Sequence, residues 1–218
     1  MDSDLRQSIR SRSVQYLFNT GMVCAIASNH QEAIIYFECA AAKNLRDWKI
    51  YYNLALCYAA LEKHFEAIKL FQAAIDIEPK EGRIYFCLAN SYKDTKQYVL
   101  AIEYFAKVRT LDLNHFASWV NEGQCWQELS QYSVAESCFI NAYRIDATRY
   151  ESYHALGTLF IRQKAYERAI QVLTYGLQNM PDPSSLLYQC RAKVHLLAGD
   201  VLAHQRDLNS AEKYAKKA

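Results

Sequence analysis

Glycine and proline are scarce in this 218-residue chain, six of one and three of the other. That scarcity argues against an all-β protein, whose turns consume both, and against a low-complexity disordered one. An excess of one charge is missing as well: Lys and Arg number 25 against 23 Asp and Glu, so no strong net field selects a nucleic acid or an anionic membrane. No uninterrupted apolar stretch approaches the ~18 residues a membrane-spanning helix needs. The opening residues MDSDLRQSIRSRSVQ mix both charges and lack the apolar run of a signal peptide. The seven cysteines show no C-x-x-C and no zinc-finger spacing, and read as reduced, mostly buried small hydrophobes. The expectation is a soluble, cytoplasmic chain with no cofactor, no metal and no membrane insertion.

Catalytic signatures are absent too. No G-x-S-x-G, H-E-x-x-H, P-loop or G-x-G-x-x-G occurs. Glu151 and His154 have the Glu-x-x-His spacing of one half of a bundle di-iron site, but no second such pair exists. They read as structural or peptide-contacting side chains, and the chain is not expected to be an enzyme.

What is present is hydrophobic residue, 51% of the chain, arranged in a repeat. Ala33, Ala67, Ala101, Ala135 and Ala169 stand 34 residues apart. Four residues after the first four come Phe37, Phe71, Phe105 and Phe139, with Leu173 in the fifth. Twelve residues before the alanines are Gly21, Ala55, Ala89, Gly123 and Gly157, and three beyond these are Cys24, Tyr58, Tyr92, Trp126 and Phe160. Small residues let two helices of one pair approach closely, and the large ones fill the spaces between successive pairs. Within each period the apolar residues recur at three- and four-residue spacing, which is helical, without sustained strand alternation. Pro79 and Pro181 fall where a second helix must stop, with the N-cap types Asp182 and Ser184 after the latter.

The period, the small and aromatic columns and the terminal prolines resemble the tetratricopeptide-repeat family. The resemblance implies an all-α fold, an α-solenoid in which antiparallel helix pairs form a right-handed superhelix. The repeats are expected over 14–47, 48–81, 82–115, 116–149, 150–183 and 185–218, one domain over 14–218 behind a helical extension over 1–13. The sixth departs at its key sites: Arg191 and His195 stand where an apolar residue is usual, and His204 replaces the alanine. Its polar second helix reads as the solubilising cap a stacked array requires, and Lys213, Lys216 and Lys217 complement that helix's dipole.

The family's concave face, lined by the first helix of each repeat, implies a peptide-binding groove here. Two residues before the small site stand Asn19, Asn53, Cys87, Asn121, Ala155 and Cys190; one after it stand Met22, Leu56, Asn90, Gln124, Thr158 and Lys193. Repeated amides suit a peptide main chain, since each offers a donor and an acceptor without reading a side chain. Lys49 and Arg83 occupy equivalent places and suit an acidic group on the ligand, beside the apolar Phe18, Tyr52 and Phe86; Glu128, Glu151 and Arg162 mark the other end. The five-residue clamp by which one subclass binds chaperone tails is not matched, and Glu151 would repel such a tail.

The expected function is therefore a non-catalytic adaptor or scaffold that binds an extended or helical peptide segment of a protein partner, itself a monomer or weak dimer. The alternative is an obligate subunit of a multiprotein complex, built in through its convex face and ends. An RNA-binding helical repeat is a third reading, disfavoured by the near-neutral charge. Tyrosines that could stack bases fall on core columns instead: Tyr51, Tyr58, Tyr85, Tyr92 and Tyr153.

Overall fold

A computed structural model describes residues 11–180 and 184–215. Most of the extension expected over 1–13 lies outside the described residues, as do Pro181, Asp182, Lys216 and Lys217. Among the described residues there are twelve helices and no strand. They are α1 (Val14–Ile26), α2 (His30–Lys43), α3 (Trp48–Ala60), α4 (His64–Ile77), α5 (Gly82–Asp94) and α6 (Tyr98–Leu111). Next come α7 (Phe116–Glu128), α8 (Tyr132–Ile145), α9 (Tyr150–Arg162), α10 (Tyr166–Asn179), α11 (Ser185–Leu197) and α12 (Val201–Ala215). This is the α-solenoid of helix pairs that the repeat implies.

The helices fall into two compact units, Met1–Leu113 and Asn114–Ala218. In the first, each helix packs on the next, and the first helices of successive pairs also touch, α1 with α3 and α3 with α5. In the second, α7, α9 and α11 make the same contacts with one another. Each unit thus presents a face built from its first helices.

The small and aromatic columns turn out to be two sides of one contact. A Cβ on Gly21 would stand 2.8 Å from Cε1 of Phe37, and one on Gly123 only 2.4 Å from Cε1 of Phe139. Gly157 meets Leu173 in the same way at 2.8 Å. Ala33, Ala67, Ala101, Ala135 and Ala169 have no exposed surface, nor do Phe37, Phe71, Phe105 and Phe139. Burying each such ring stabilises the fold by about 1.5–3 kcal/mol.

The turn inside each pair has a column of its own. Ser28, Glu62, Lys96, Ser130 and Lys164 all adopt the left-handed conformation at φ 60°, and Gly199 does so in the last pair at φ 86°. The next residue's N–H then reaches back to the carbonyl of the aromatic column, as in Lys63 to Tyr58 at 2.9 Å and Gln97 to Tyr92 at 2.8 Å. This is the Schellman closure of a helix C-terminus, where glycine carries no Cβ penalty. The turns between pairs use side chains instead. Asn44 accepts from the N–H of Arg46 at 3.1 Å, and Asp146 from that of Thr148 at 2.9 Å.

The last pair replaces apolar packing with a polar network. Arg191 forks onto the buried Asp207, Nε to Oδ2 at 2.8 Å and Nη2 to Oδ1 at 2.7 Å, while its Nη1 donates to Thr174 at 2.9 Å. His195 Nε2 lies 3.8 Å from the same carboxylate. His204 Nδ1 stands 2.9 Å from the carbonyl of Ala192, so that nitrogen carries the proton. In the preceding pair the positions of Arg191 and Asp207 hold Leu156 and Val172.

Two glycine exchanges should act in opposite directions. Gly123→Ala should lower stability by about 1–3 kcal/mol through overpacking against Phe139, whereas Lys96→Gly should raise it by about 1 kcal/mol by relieving the left-handed backbone. Urea titrations of both variants, compared at equal m-value, check the signs. Asp207→Ala should destabilise by about 2–4 kcal/mol, because it leaves a largely buried guanidinium without its carboxylate. The double exchange Arg191→Leu with Asp207→Val, which copies the preceding pair, should recover most of that loss in the same titration.

Candidate functional site

On the first-helix face of unit one, Phe18, Tyr52 and Phe86 occupy the same position of α1, α3 and α5. Each lies over the core phenylalanine of its own pair, with ring centroids 5.8 Å from Phe37, 6.0 Å from Phe71 and 5.9 Å from Phe105. They are half-buried, so they serve the core as well as the face. Tyr52 Oη lies 3.7 Å from Cys87 Sγ on the next first helix, and burial pushes both the phenol and the thiol upward from their ordinary values.

Two of the expected amide rungs bond along their own helices. Asn19 Oδ1 accepts from Gln15 Nε2 at 2.8 Å, and Asn53 Nδ2 donates to the Lys49 carbonyl at 2.7 Å. Asn90 is half-buried on α5. An amide so engaged still has a donor or an acceptor to offer.

The cationic pair reads differently once the geometry is known. Arg83 donates from Nε and Nη2 to the Glu81 carboxylate at 2.9 and 3.0 Å, and that hydrogen bonding holds the Glu81 carboxyl below its ordinary value. Arg83 is thus paired at the surface, its side chain 66% exposed, and Lys49 beside it is exposed as well. Both cations flank the Trp48 ring, with Arg83 Cζ 5.7 Å and Lys49 Nζ 6.0 Å from its centroid. Trp48 was missed in the sequence. Its signal was positional, because the first residue of the helix is also aromatic at Phe116 and Tyr150.

Unit two holds a pocket of about 330 Å³ on its first-helix face, bounded by α7, α9 and α11. Asn121 and Gln124 line it from α7, with Glu151 and Ala155 from α9, all of them expected groove positions. Val120 and His154, which line it as well, continue the column of Phe18, Tyr52 and Phe86. Phe116, Tyr150 and Leu186 complete the apolar wall and were not singled out in the sequence. The Arg149 guanidinium lies over the Phe116 ring, 3.9 Å from its centroid, and pairs with Glu151. Burial draws the Glu151 carboxyl upward, but the hydrogen bond and charge of Arg149 outweigh it and the net shift is downward. Burial pushes the His154 imidazole down, towards its neutral form. Glu128, the other carboxylate of this end, is paired with Arg162 at 2.6 Å.

No cluster of three or more metal-ligating side chains occurs among the described residues. Burial raises the thiols of Cys24 and Cys87, and those of Cys57 and Cys190 to about 11, the opposite of what a nucleophile requires.

Family models described as tetratricopeptide repeat match residues 48–81 and 82–115, the pairs α3–α4 and α5–α6. These two pairs are tetratricopeptide repeats, and the helix-pair fold around them is of the same kind. The twelve helices among the described residues fit about six tandem repeats. Tetratricopeptide-repeat proteins are generally non-catalytic scaffolds that bind protein partners, so this chain serves as a protein-interaction adaptor in general.

Among solved structures, MamA from Desulfovibrio magneticus is similar at TM-score 0.71 and 17% identity, over 76% of this chain and 93% of that one. Pseudomonas aeruginosa PilF reaches 0.71 at 13% identity over 93% and 90%. YrrB, a tetratricopeptide-repeat protein with an unusual peptide-binding site, reaches 0.66 at 18% identity over 85% and 91%. At these identities the likeness is one of fold. A sequence search of curated proteins finds no significant match. No helix among the described residues is long and apolar enough to cross a membrane.

The raised thiols make a direct prediction. At pH 8 a thiol of pKa about 11 is ionised to only about one part in a thousand, so Cys57 and Cys190 should react with iodoacetamide at least ~100-fold more slowly in the folded chain than in urea. Peptide-level mass spectrometry of a labelling time course checks this.

Proposed function

We propose that the chain is an adaptor that holds an extended or helical segment of a partner protein against the face formed by its first helices. The observation that carries this reading is the pocket of about 330 Å³ on that face of unit two, built from the positions that form the aromatic strip in unit one. Both places combine apolar side chains with amides at the neighbouring position. Apolar area supplies affinity on such a face, and the amides hold a main chain in register. Lys49 adds an exposed cation in unit one, so an acidic group on that part of the segment is favoured.

One further observation supports the second reading, a permanent subunit of an assembly. Ile26, Phe65, Val99 and Leu202 are 66–79% exposed, and they lie near the turns within pairs and on second helices, away from the first-helix face. An obligate partner covering them would leave the chain prone to aggregate when purified alone, whereas the adaptor should be a monomer or weak dimer.

Peptides selected on the intact chain from a random display library provide the test. Replacing Asn53, Asn90 and Asn121 together by alanine should weaken their binding by about 2–4 kcal/mol, at ~1 kcal/mol per lost hydrogen bond. The thermal melt should hold, since alanine is the better helix former. Retained affinity with an intact melt would show that the segment does not use this face, and the subunit reading would then take its place.

A further inference from the structure

We propose that the pocket bounded by α7, α9 and α11 is an anchor site for one uncharged aromatic side chain bearing a polar hydrogen, tryptophan or tyrosine. The assignment rests on the reading of the first-helix face as the binding face. It adds what that reading leaves open, the chemistry of the residue the partner must carry.

Charge decides the first half of the argument. Arg149 and Glu151 enter the pocket wall as a pair, so the wall offers no net charge to either sign. An acidic guest meets the Glu151 carboxylate, and a basic one meets the Arg149 guanidinium, which already covers the Phe116 ring at 3.9 Å. Either guest would surrender its water without a partner of its own. The His154 ring is half-buried, and burial holds it towards its neutral form, so it adds no charge to that balance.

Polar groups in the wall decide the second half. A volume of about 330 Å³ lies at the small end of ligand pockets and suits a single side chain. Val120, Ala155, Tyr150 and Leu186 give it an apolar body. Yet the His154 ring and the Glu151 carboxylate also belong to the wall. Arg149 engages Glu151 through Oε1, and a carboxylate has about four lone-pair sites, so the group can accept a further hydrogen bond. A leucine or isoleucine guest would bury these acceptors without compensating them, the situation by which sites built for a hydrogen bond reject an analogue that lacks it. An indole N–H or a phenol O–H supplies the donor while its ring fills the apolar body.

The test uses the full chain, labelled at its methyl groups, titrated by NMR with N-acetyl-tryptophanamide, N-acetyl-tyrosinamide and the leucine, lysine and glutamate counterparts. The two aromatic amides should shift the methyls of Val120, Ala155 and Leu186 saturably, at least about fivefold more tightly than the leucine amide, and the charged amides should leave those methyls in place. Ala117→Phe, which fills the pocket from its α7 side, should abolish the shifts while the melt is unchanged. His154→Leu with Glu151→Gln should bring the leucine amide level with the aromatic ones. Equal binding of the leucine or charged amides to the unaltered chain, or a tryptophan preference that survives the double exchange, would overturn the assignment. Displayed peptides separate this from the parent reading. Peptides that need the amide positions but ignore Ala117→Phe and carry no aromatic residue remove the anchor and leave the binding face. Aromatic amides that bind while displayed peptides ignore the amide positions keep the anchor and remove the face.

Discussion

The architecture depends on one contact made over and over, a residue with little or no side chain on the first helix of a pair set against a ring or a leucine on the second. Interiors are packed to crystal-like density, so the distance between Gly123 and Phe139, too short for an unaccommodated Cβ at 2.4 Å, sets how closely α7 and α8 lie. Once that separation and rotation are fixed, the position three residues earlier on the first helix is carried onto the outer face above the ring. Phe18, Tyr52, Phe86, Val120 and His154 all owe their placement to it. The last pair keeps the buried small residue Ala192 on its first helix and sets a polar network beside it. There Arg191, Asp207 and His204 hold the helices with hydrogen bonds and an ion pair, an arrangement that tolerates a polar outer side but depends on every partner being present.

The period and the core were legible in the sequence because size is visible there: alanine, glycine and phenylalanine recur in register and admit few explanations. The turn column was not. Ser28, Glu62, Lys96, Ser130 and Lys164 share a left-handed backbone, yet none of these residue types announces it, and only Gly199 carries the expected signature. Tertiary packing of the pair imposes the turn and overrides local preference.

Charge partners were the other loss. Arg83 with Glu81 and Arg149 with Glu151 are two residues apart, a spacing that does not meet on a helix surface. The rule fails here for a physical reason. Glu81 and Arg149 are N-cap residues with extended backbone, ψ 99° and 125°, so each side chain swings alongside the first turn instead of around it. In each case the cap residue carries the charge opposite to its neighbour's, so an ion pair forms at the start of the helix.

The outer columns of the two units differ in side-chain size. In unit one the outer position above the core ring is filled by Phe18, Tyr52 and Phe86, each about 6 Å centroid to centroid from the ring beneath. In unit two the same position holds Val120 and His154, and the neighbouring residue on α9 is Ala155 where α1 and α3 carry asparagine. The helix pairs are of the same kind and the core contact persists, so the missing volume is not taken up by collapse. It remains as the pocket. A solenoid whose backbone is set by its core columns can therefore alter what it binds by changing side-chain size at one outer column. Such changes leave the contact that holds each pair together untouched, which is why this column can diverge between units while Phe105 and Phe139 beneath it stay alike.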